Sequence, residues 1–456
     1  MRFIRSSSTT MIFKILSMGC GLGISILIGR LMGPGGRGLY GLAMTVIVLS
    51  VNFGLFGFAG ANTYLVGGDR THSRAVGTQS LLVGLLGGLV ATLAVLAIRH
   101  AHPQVFGELR GTILWATLVI VPFFLWGTLF SYAFLGMGRI ISFNLFEASQ
   151  KSMLMATGMV MLLVFHLGLE VFFVVIATGI GMIAAAYIVK YFASAPPGPL
   201  YNIRLIPRAM SYGVRAYVAT LTTFAVMKAG IFFVNYYKGS ADAGLYSAAQ
   251  QMAESLVIIP SVIGTVLFSR IAQGETKHLS AKVMRTLSFL FLPIFAALAL
   301  GRNLIFTSLF GMEFLPSGQV LLLLLPGTFL LGIEVIMAAD IAGRGYPWPA
   351  ALAWFPILII NVTGYILLIP RYGINGAAFS TSLSFITLFV FMTWYYCRLT
   401  GHRPLELFLV HGEDLRIVIS AVKTAAFAGN FNASRIESDT KSLPHEAQTE
   451  VERVGA

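Results

Sequence analysis

Apolar stretches of 20 or more residues recur along this chain up to about residue 398, separated by short turns. Each is long enough to cross a hydrocarbon core of roughly 30 Å as a helix. Only helices and closed barrels satisfy their backbone hydrogen bonds in lipid. These runs lack the in-out alternation of barrel strands. The pattern therefore predicts an all-α membrane protein with about twelve transmembrane helices, at 11 to 32, 39 to 66, 75 to 98, 111 to 135, 145 to 167, 169 to 193, 211 to 237, 243 to 270, 282 to 309, 318 to 340, 348 to 369 and 373 to 398. Charged residues make up only 11% of the chain, against roughly 25% in soluble domains.

The opening "MRFIRSSSTTMIFKILSMGCGLGISILIG" has the basic start and apolar run of a signal peptide, but no A-x-A-like cleavage site. It is read as an uncleaved first helix. Cys20 and Cys397 fall in the first and last spans and are expected as free thiols. Up to residue 405 there are 26 Lys/Arg and 10 Asp/Glu; beyond it there are 5 and 8. The basicity belongs to the membrane body, which points to anionic lipid or an anionic substrate and away from nucleic acid. With a cytoplasmic N-terminus, fifteen Lys/Arg fall in inner loops and flanks and seven in outer ones, Arg37 among the seven. That bias places both termini inside.

An internal echo divides the chain. Gly38, Leu39, Tyr40 and Ala43 match Gly244, Leu245, Tyr246 and Ala249 at an offset of 206, and Gly138-Arg139 matches Gly343-Arg344 at 205. Each pair occupies the same place in a six-span half, as in parallel-repeat transporters. The expected organisation is an N-terminal lobe over 1–193, a proline-rich cytoplasmic linker over 194–210, and a C-terminal lobe over 211–400. A cytoplasmic tail follows over 401–456, with an amphipathic helix at 413–428. Packing alone also accounts for the Gly-Leu-Tyr corners, since Gly permits tight turns and Tyr suits membrane interfaces.

The segment "GRLMGPGGRGLYGLAMTVIVLSVNFGLFGFAGANTYLV" (29 to 66) resembles a signature of the polysaccharide-exporting, O-antigen or Wzx-like flippases of the multidrug/oligosaccharidyl-lipid/polysaccharide transporter superfamily. "AGLYSAAQQMAESLVIIPSVIGTVLFSRIA" (243 to 272), "LGMGRIISFN" (135 to 144) and "YGINGAAFSTSLS" (372 to 384) are similar to further stretches of that family. The resemblance implies two six-helix lobes of the MATE type. It also implies alternating-access transport of an undecaprenyl-diphosphate-linked oligosaccharide from the cytoplasmic to the outer leaflet of a bacterial inner membrane. A coupling ion (H⁺ or Na⁺), membrane lipids and polysaccharide assembly proteins are the partners it implies, with no cofactor. No motif names a particular glycan.

Ionisable residues inside spans are the residue-level support for transport: Lys14, Glu147, Lys151, Arg215, Lys228, Glu254 and Glu334. A charge at a helix centre costs roughly 2.5–3.5 kcal/mol on insertion scales, so deep ones normally face a bundle interior or a wet cavity. Lys14, Lys151 and Arg215 lie near helix ends, where snorkelling is an alternative explanation. Lys228 and Glu254 fall near the midplane. They form either an interhelical salt bridge or a substrate station in which Lys228 and Arg215, assisted by Lys14 and Lys151, bind the diphosphate. Glu254, Glu334 and Glu147 are the candidates for ion coupling or charge balance. Gly230 is a candidate hinge in the seventh span. Tyr217, Thr222, Thr223, Asn235 and Tyr236 of the same span are able to bond sugar hydroxyls.

No P-loop, H-E-x-x-H or Cys/His metal cluster is present, so no nucleotide, catalytic or metal site is expected. A membrane polymerase or glycosyltransferase would need acids gathered in an aqueous loop, and the outer loops are short. A MATE-like multidrug exporter would need a cavity richer in acids than in bases.

Overall fold

The computed structural model describes residues 2–272, 278–345, 347–401 and 403–407. The expected amphipathic helix at 413–428 and the rest of the tail lie outside the described residues. The fold is helical almost throughout, and no strand occurs among the described residues. Its helices are α1 (Arg2–Gly54), α2 (Phe58–Gly68), α3 (Ser73–Ala101), α4 (Gly111–Gly136), α5 (Ile140–Gly158), α6 (Leu169–Ser194), α7 (Leu205–Lys238), α8 (Ser240–Leu256), α9 (Ile258–Ala272), α10 (His278–Leu309), α11 (Leu315–Gly343) and α12 (Pro347–Thr400).

Helix and membrane span do not coincide one to one. α1 breaks at Gly33 (φ 65°, ψ −169°) and restarts at Pro34. Glycine adopts that φ without a Cβ clash, and proline suits a first helical position where no N–H is needed. α12 breaks likewise at Gly373 (φ 57°, ψ −138°). Each of these long helices holds two spans. The second span, expected unbroken over 39–66, is interrupted at Phe56 and Gly57, both at positive φ, and continues as α2. The eighth, expected over 243–270, divides at Val257, because Pro260 has no N–H to offer the carbonyl of Leu256. Nine helical stretches among the described residues are long and apolar enough to cross a membrane. Two of them are double, and α5, too polar to qualify, would bring the number to twelve, which is compatible with the expected count. α6 ends at Ser194 and α7 starts at Leu205, so helix resumes six residues before the expected 211.

The sequence repeat persists in conformation. Gly239, 206 residues after Gly33, has φ 89° and ψ 179°, nearly the same backbone setting. A Cβ on Gly38 would collide with the carbonyl oxygen of Ser240, and a Cβ on Gly244 with that of Pro34. Pro34 and Ser240 are themselves 206 apart. Each glycine thus meets the counterpart of the residue its partner meets, a reciprocity that a local two-fold produces. We call this side of the molecule the corner face. The opposite, linker face carries residues 195–204 and the Arg70–His72 turn, and there Gly198 seats against the carbonyl of Thr71.

Two apolar cores hold the bundle. One lies among α2, α3, α4 and α6, where Phe130 meets Tyr191 edge to face at 4.9 Å and the Tyr191 hydroxyl donates to the Ser73 carbonyl at 2.9 Å. The larger one joins α1, α4 and α6 to α7, α8, α11 and α12. Within it the Gly327 N–H donates to Ser382 Oγ at 2.9 Å, where α11 and α12 touch closely.

Candidate functional site

A cavity of about 400 Å³ opens between α1, α5, α7 and the α8–α9 pair. Among the described residues, four ionisable groups line it: Lys14 from α1, Glu147 and Lys151 from α5, and Glu254 from α8. Glu147 and Lys151 share a face because four residues make about one helical turn. The Lys151 side chain runs past Gly21 of α1, its Cδ at ordinary contact distance, 3.9 Å, from where a Cβ would sit. Neither Lys14 nor Lys151 is in an ion pair with a described residue, and Lys151 stands within electrostatic range of both Glu147 and Lys228.

Lys228 sits behind this wall. Its ammonium donates to both oxygens of Glu254, at 2.8 and 2.6 Å, with each side chain 26% exposed. Gln250 Nε2 also donates to Glu254 Oε1 at 2.9 Å. Of the two sequence readings for the pair, the salt bridge describes this conformation. Glu254 faces the cavity and holds Lys228 just off it. Among the described residues the lining is accordingly mixed, two bases and two acids, with Lys228 a third base behind Glu254.

Other expected residues lie elsewhere. Arg215 is on α7, but its side chain is outside the described positions. Glu334 is buried in α11 at 2% exposure, away from the cavity lining, with Oε1 unpartnered. Thr222 and Thr223 donate to carbonyls of their own helix, Tyr217 donates to Phe53 O, and Asn235 donates to Val105 O. None of these lines the cavity. Gly230, read as a possible hinge, instead makes room for the hydroxyls of Tyr246 and Tyr365, and α7 runs unbroken past it. Tyr246 and Tyr365 both share Thr381 Oγ1, at 3.1 and 2.8 Å. Tyr40 is buried against Phe172 and Phe173.

One group escaped the sequence reading. Arg37, counted there among outer-loop arginines, is 2% exposed. Helix resumes at Pro34, five residues before the expected start of the second span at 39, and this turns Arg37 inward. Its Nη2 donates to Gln251 Oε1 at 2.7 Å, and Gln251 in turn donates to Gly21 O at 3.0 Å while lining the cavity. The guanidinium lies 5.6 Å from the Tyr40 ring centroid, and its Nε has no partner. The residue 206 further on is Ala243, also buried. The repeated corner therefore forms without an arginine in its second copy, the one signal in the sequence that Arg37 is not architectural.

A family model described as "Polysaccharide biosynthesis protein" matches residues 27–319, well over half of the chain. The chain belongs to this polysaccharide biosynthesis protein family. A Shigella flexneri protein described as an O-antigen transporter is 22% identical over 398 residues, covering 82% of this chain and 92% of its own length. Among solved structures, the lipid II flippase MurJ in an inward closed conformation superposes with a TM-score of 0.70 at 14% identity, covering 94% of this chain and 99% of MurJ. An inward-facing multidrug resistance MATE family transporter of the MOP superfamily gives 0.65 at 14% identity, covering 87% and 98%. These likenesses show that this member of the polysaccharide biosynthesis family has the MurJ/MATE fold, as the sequence resemblance implied.

Proposed function

We propose that the protein is a flippase that carries a polyprenyl-diphosphate-linked oligosaccharide across the bacterial inner membrane by ion-coupled alternating access. The observation that carries this reading is the charged vestibule, in which two lysines in no ion pair with a described residue, Lys14 and Lys151, face the space between the helices. A lysine in a partly dry cavity attracts phosphate as a point charge, and a diphosphate gives two lysines something to share. The O-antigen transporter relative and the lipid II flippase of the same fold support a lipid-linked glycan as the cargo.

In this reading the linker face is cytoplasmic. The diphosphate enters beside Lys14 and Lys151, with Arg215 at the entrance. Lys228 joins them when Glu254 takes a proton and releases it, so that cargo and proton compete through one carboxylate. Glu147 balances Lys151 when the cavity is empty, and Glu334 is a second buried carboxyl open to protonation. A carrier of cationic drugs would need acids to outnumber bases here, and among the described residues they do not.

The test is reconstitution in liposomes with polyprenyl-diphosphate sugars, following leaflet exchange with and without H⁺ or Na⁺ gradients. Exchange that a gradient accelerates is expected. Exchange no faster than in protein-free vesicles under every gradient would rule out the proposal.

A further inference from the structure

A second hollow, of about 260 Å³, lies outside the vestibule, among α2, α3 and the linker. One of its walls is a stripe of α3 made by Ala75, Gln79, Leu82, Val83 and Leu86, spaced to share one helical face. From Ala75 to Leu86 the stripe rises about 16 Å, roughly half of a bilayer's hydrocarbon thickness. The opposite wall is Tyr201, Asn202 and Ile206. The floor is Phe56, held at φ 46° where α1 gives way to α2. Leu82, Leu86 and Tyr201 are 47%, 58% and 53% exposed, so the outer lip is open along its length.

Two features mark this groove as built for a ligand with both an apolar tail and a polar neck. Gln79 is 4% exposed, and its enclosed Nε2 has no hydrogen-bond partner among the described residues. A buried amide left unpaired costs about 1–3 kcal/mol, which an incoming acceptor would recover. The second feature is charge. Arg70, in the turn before α3, and Arg74, in the first turn of α3, precede the stripe, and Arg204 and Arg208 flank Asn202 and Ile206 in sequence; all four stand outside the lining itself, at its linker-face end. None of these four guanidinium groups pairs with an acid among the described residues. The acid beside them, Asp69, is occupied by the Thr71 N–H and hydroxyl at 2.9 and 2.8 Å, with His72 Nε2 at 3.9 Å. Those hydrogen bonds hold the Asp69 carboxyl below its ordinary range, so it stays a carboxylate engaged locally.

We infer that the groove is a binding site for one anionic glycerophospholipid. Its acyl chain lies along the α3 stripe, an ester carbonyl accepts from the Gln79 amide once that side chain turns toward the groove, and the phosphate lies at the linker-face end that carries the arginines. An isoprenoid chain is the poorer fit, because it has no acceptor along its length for Gln79. The lipid rests against the Phe56–Gly57 break, where Gly57 touches Gly213 of α7 backbone to backbone.

Native mass spectrometry of the full-length protein, purified in detergent and offered phosphatidylglycerol or phosphatidylcholine, tests this. The wild type is expected to retain one phosphatidylglycerol in preference to phosphatidylcholine. Val83→Trp, which fills the groove, and Leu86→Trp, at its exposed lip, should each lower retention about tenfold, while Gln79→Leu lowers it about fivefold. Val390→Trp, on a lipid-exposed face of α12, should change nothing. A melting temperature within the wild-type range guards each variant against misfolding. Equal retention of the two lipids, retention by Val83→Trp and Leu86→Trp at the wild-type level, or displacement of the lipid by undecaprenyl phosphate at matched concentration would each overturn the inference; the last would make the cargo's tail the occupant.

Discussion

Lys228 and Glu254, 26 residues apart on neighbouring helices, are joined by two hydrogen bonds from a single ammonium. The carboxylate that faces the vestibule is therefore also the one that restrains its third lysine. Lys228→Ala should abolish surface glycan export with protein abundance in the membrane unchanged. Glu254→Gln should free the lysine and uncouple transport from the ion gradient. A Lys228→Ala/Glu254→Ala protein that exports normally would reduce the pair to charge neutralisation.

Lys14 and Lys151 have no such restraint. A charge-assisted hydrogen bond contributes about 1.5–3 kcal/mol. Lys14→Ala and Lys151→Ala should thus each slow leaflet exchange about tenfold or more, and Lys→Arg at either position should keep most of it. Measured in liposomes, unaltered rates in the Lys14→Ala/Lys151→Ala double variant would exclude them from the cargo's path.

Arg37 separates stability from transport. A buried guanidinium without an acid is commonly a net cost, and an apolar residue of similar length often raises stability by about 1–4 kcal/mol. Arg37→Met should therefore melt at or above the wild-type temperature while exchange falls about tenfold. A protein that melts lower and transports normally would assign Arg37 to the scaffold.

The corner contact makes a graded packing prediction within one turn of helix. Gly35 has open space around its Cα, whereas Gly38 meets Ser240. Gly35→Ala should leave the melting temperature unchanged or slightly higher, by helix propensity. Gly38→Ala should lower it, as overpacking costs about 1–3 kcal/mol, and Gly244→Ala should do the same.

Much of the architecture was legible because hydropathy and length alone decide what can lie in lipid. The Gly-Leu-Tyr echo was legible because both copies solve one steric problem, the contact of Gly38 with Gly244. Directions of side chains were not. Arg37 reads as a loop arginine until helix is seen to restart at Pro34. Thr222 and Thr223 read as sugar ligands until they are seen to bond carbonyls one turn back, a choice that periodicity does not encode. The Lys228–Glu254 salt bridge is one of two readings of the sequence, and choosing between them needs the register between α7 and α8, which no local pattern specifies.

The polarity of α5 bears on how the protein reaches its membrane. Glu147, Gln150 and Lys151 keep this helix below the apolarity that marks the other spans. A translocon that partitions segments by hydrophobicity would pass such a segment by if it arrived alone. Its integration then depends on α4 and α6 emerging around it, so biogenesis of the wall that bears Lys151 is a cooperative event.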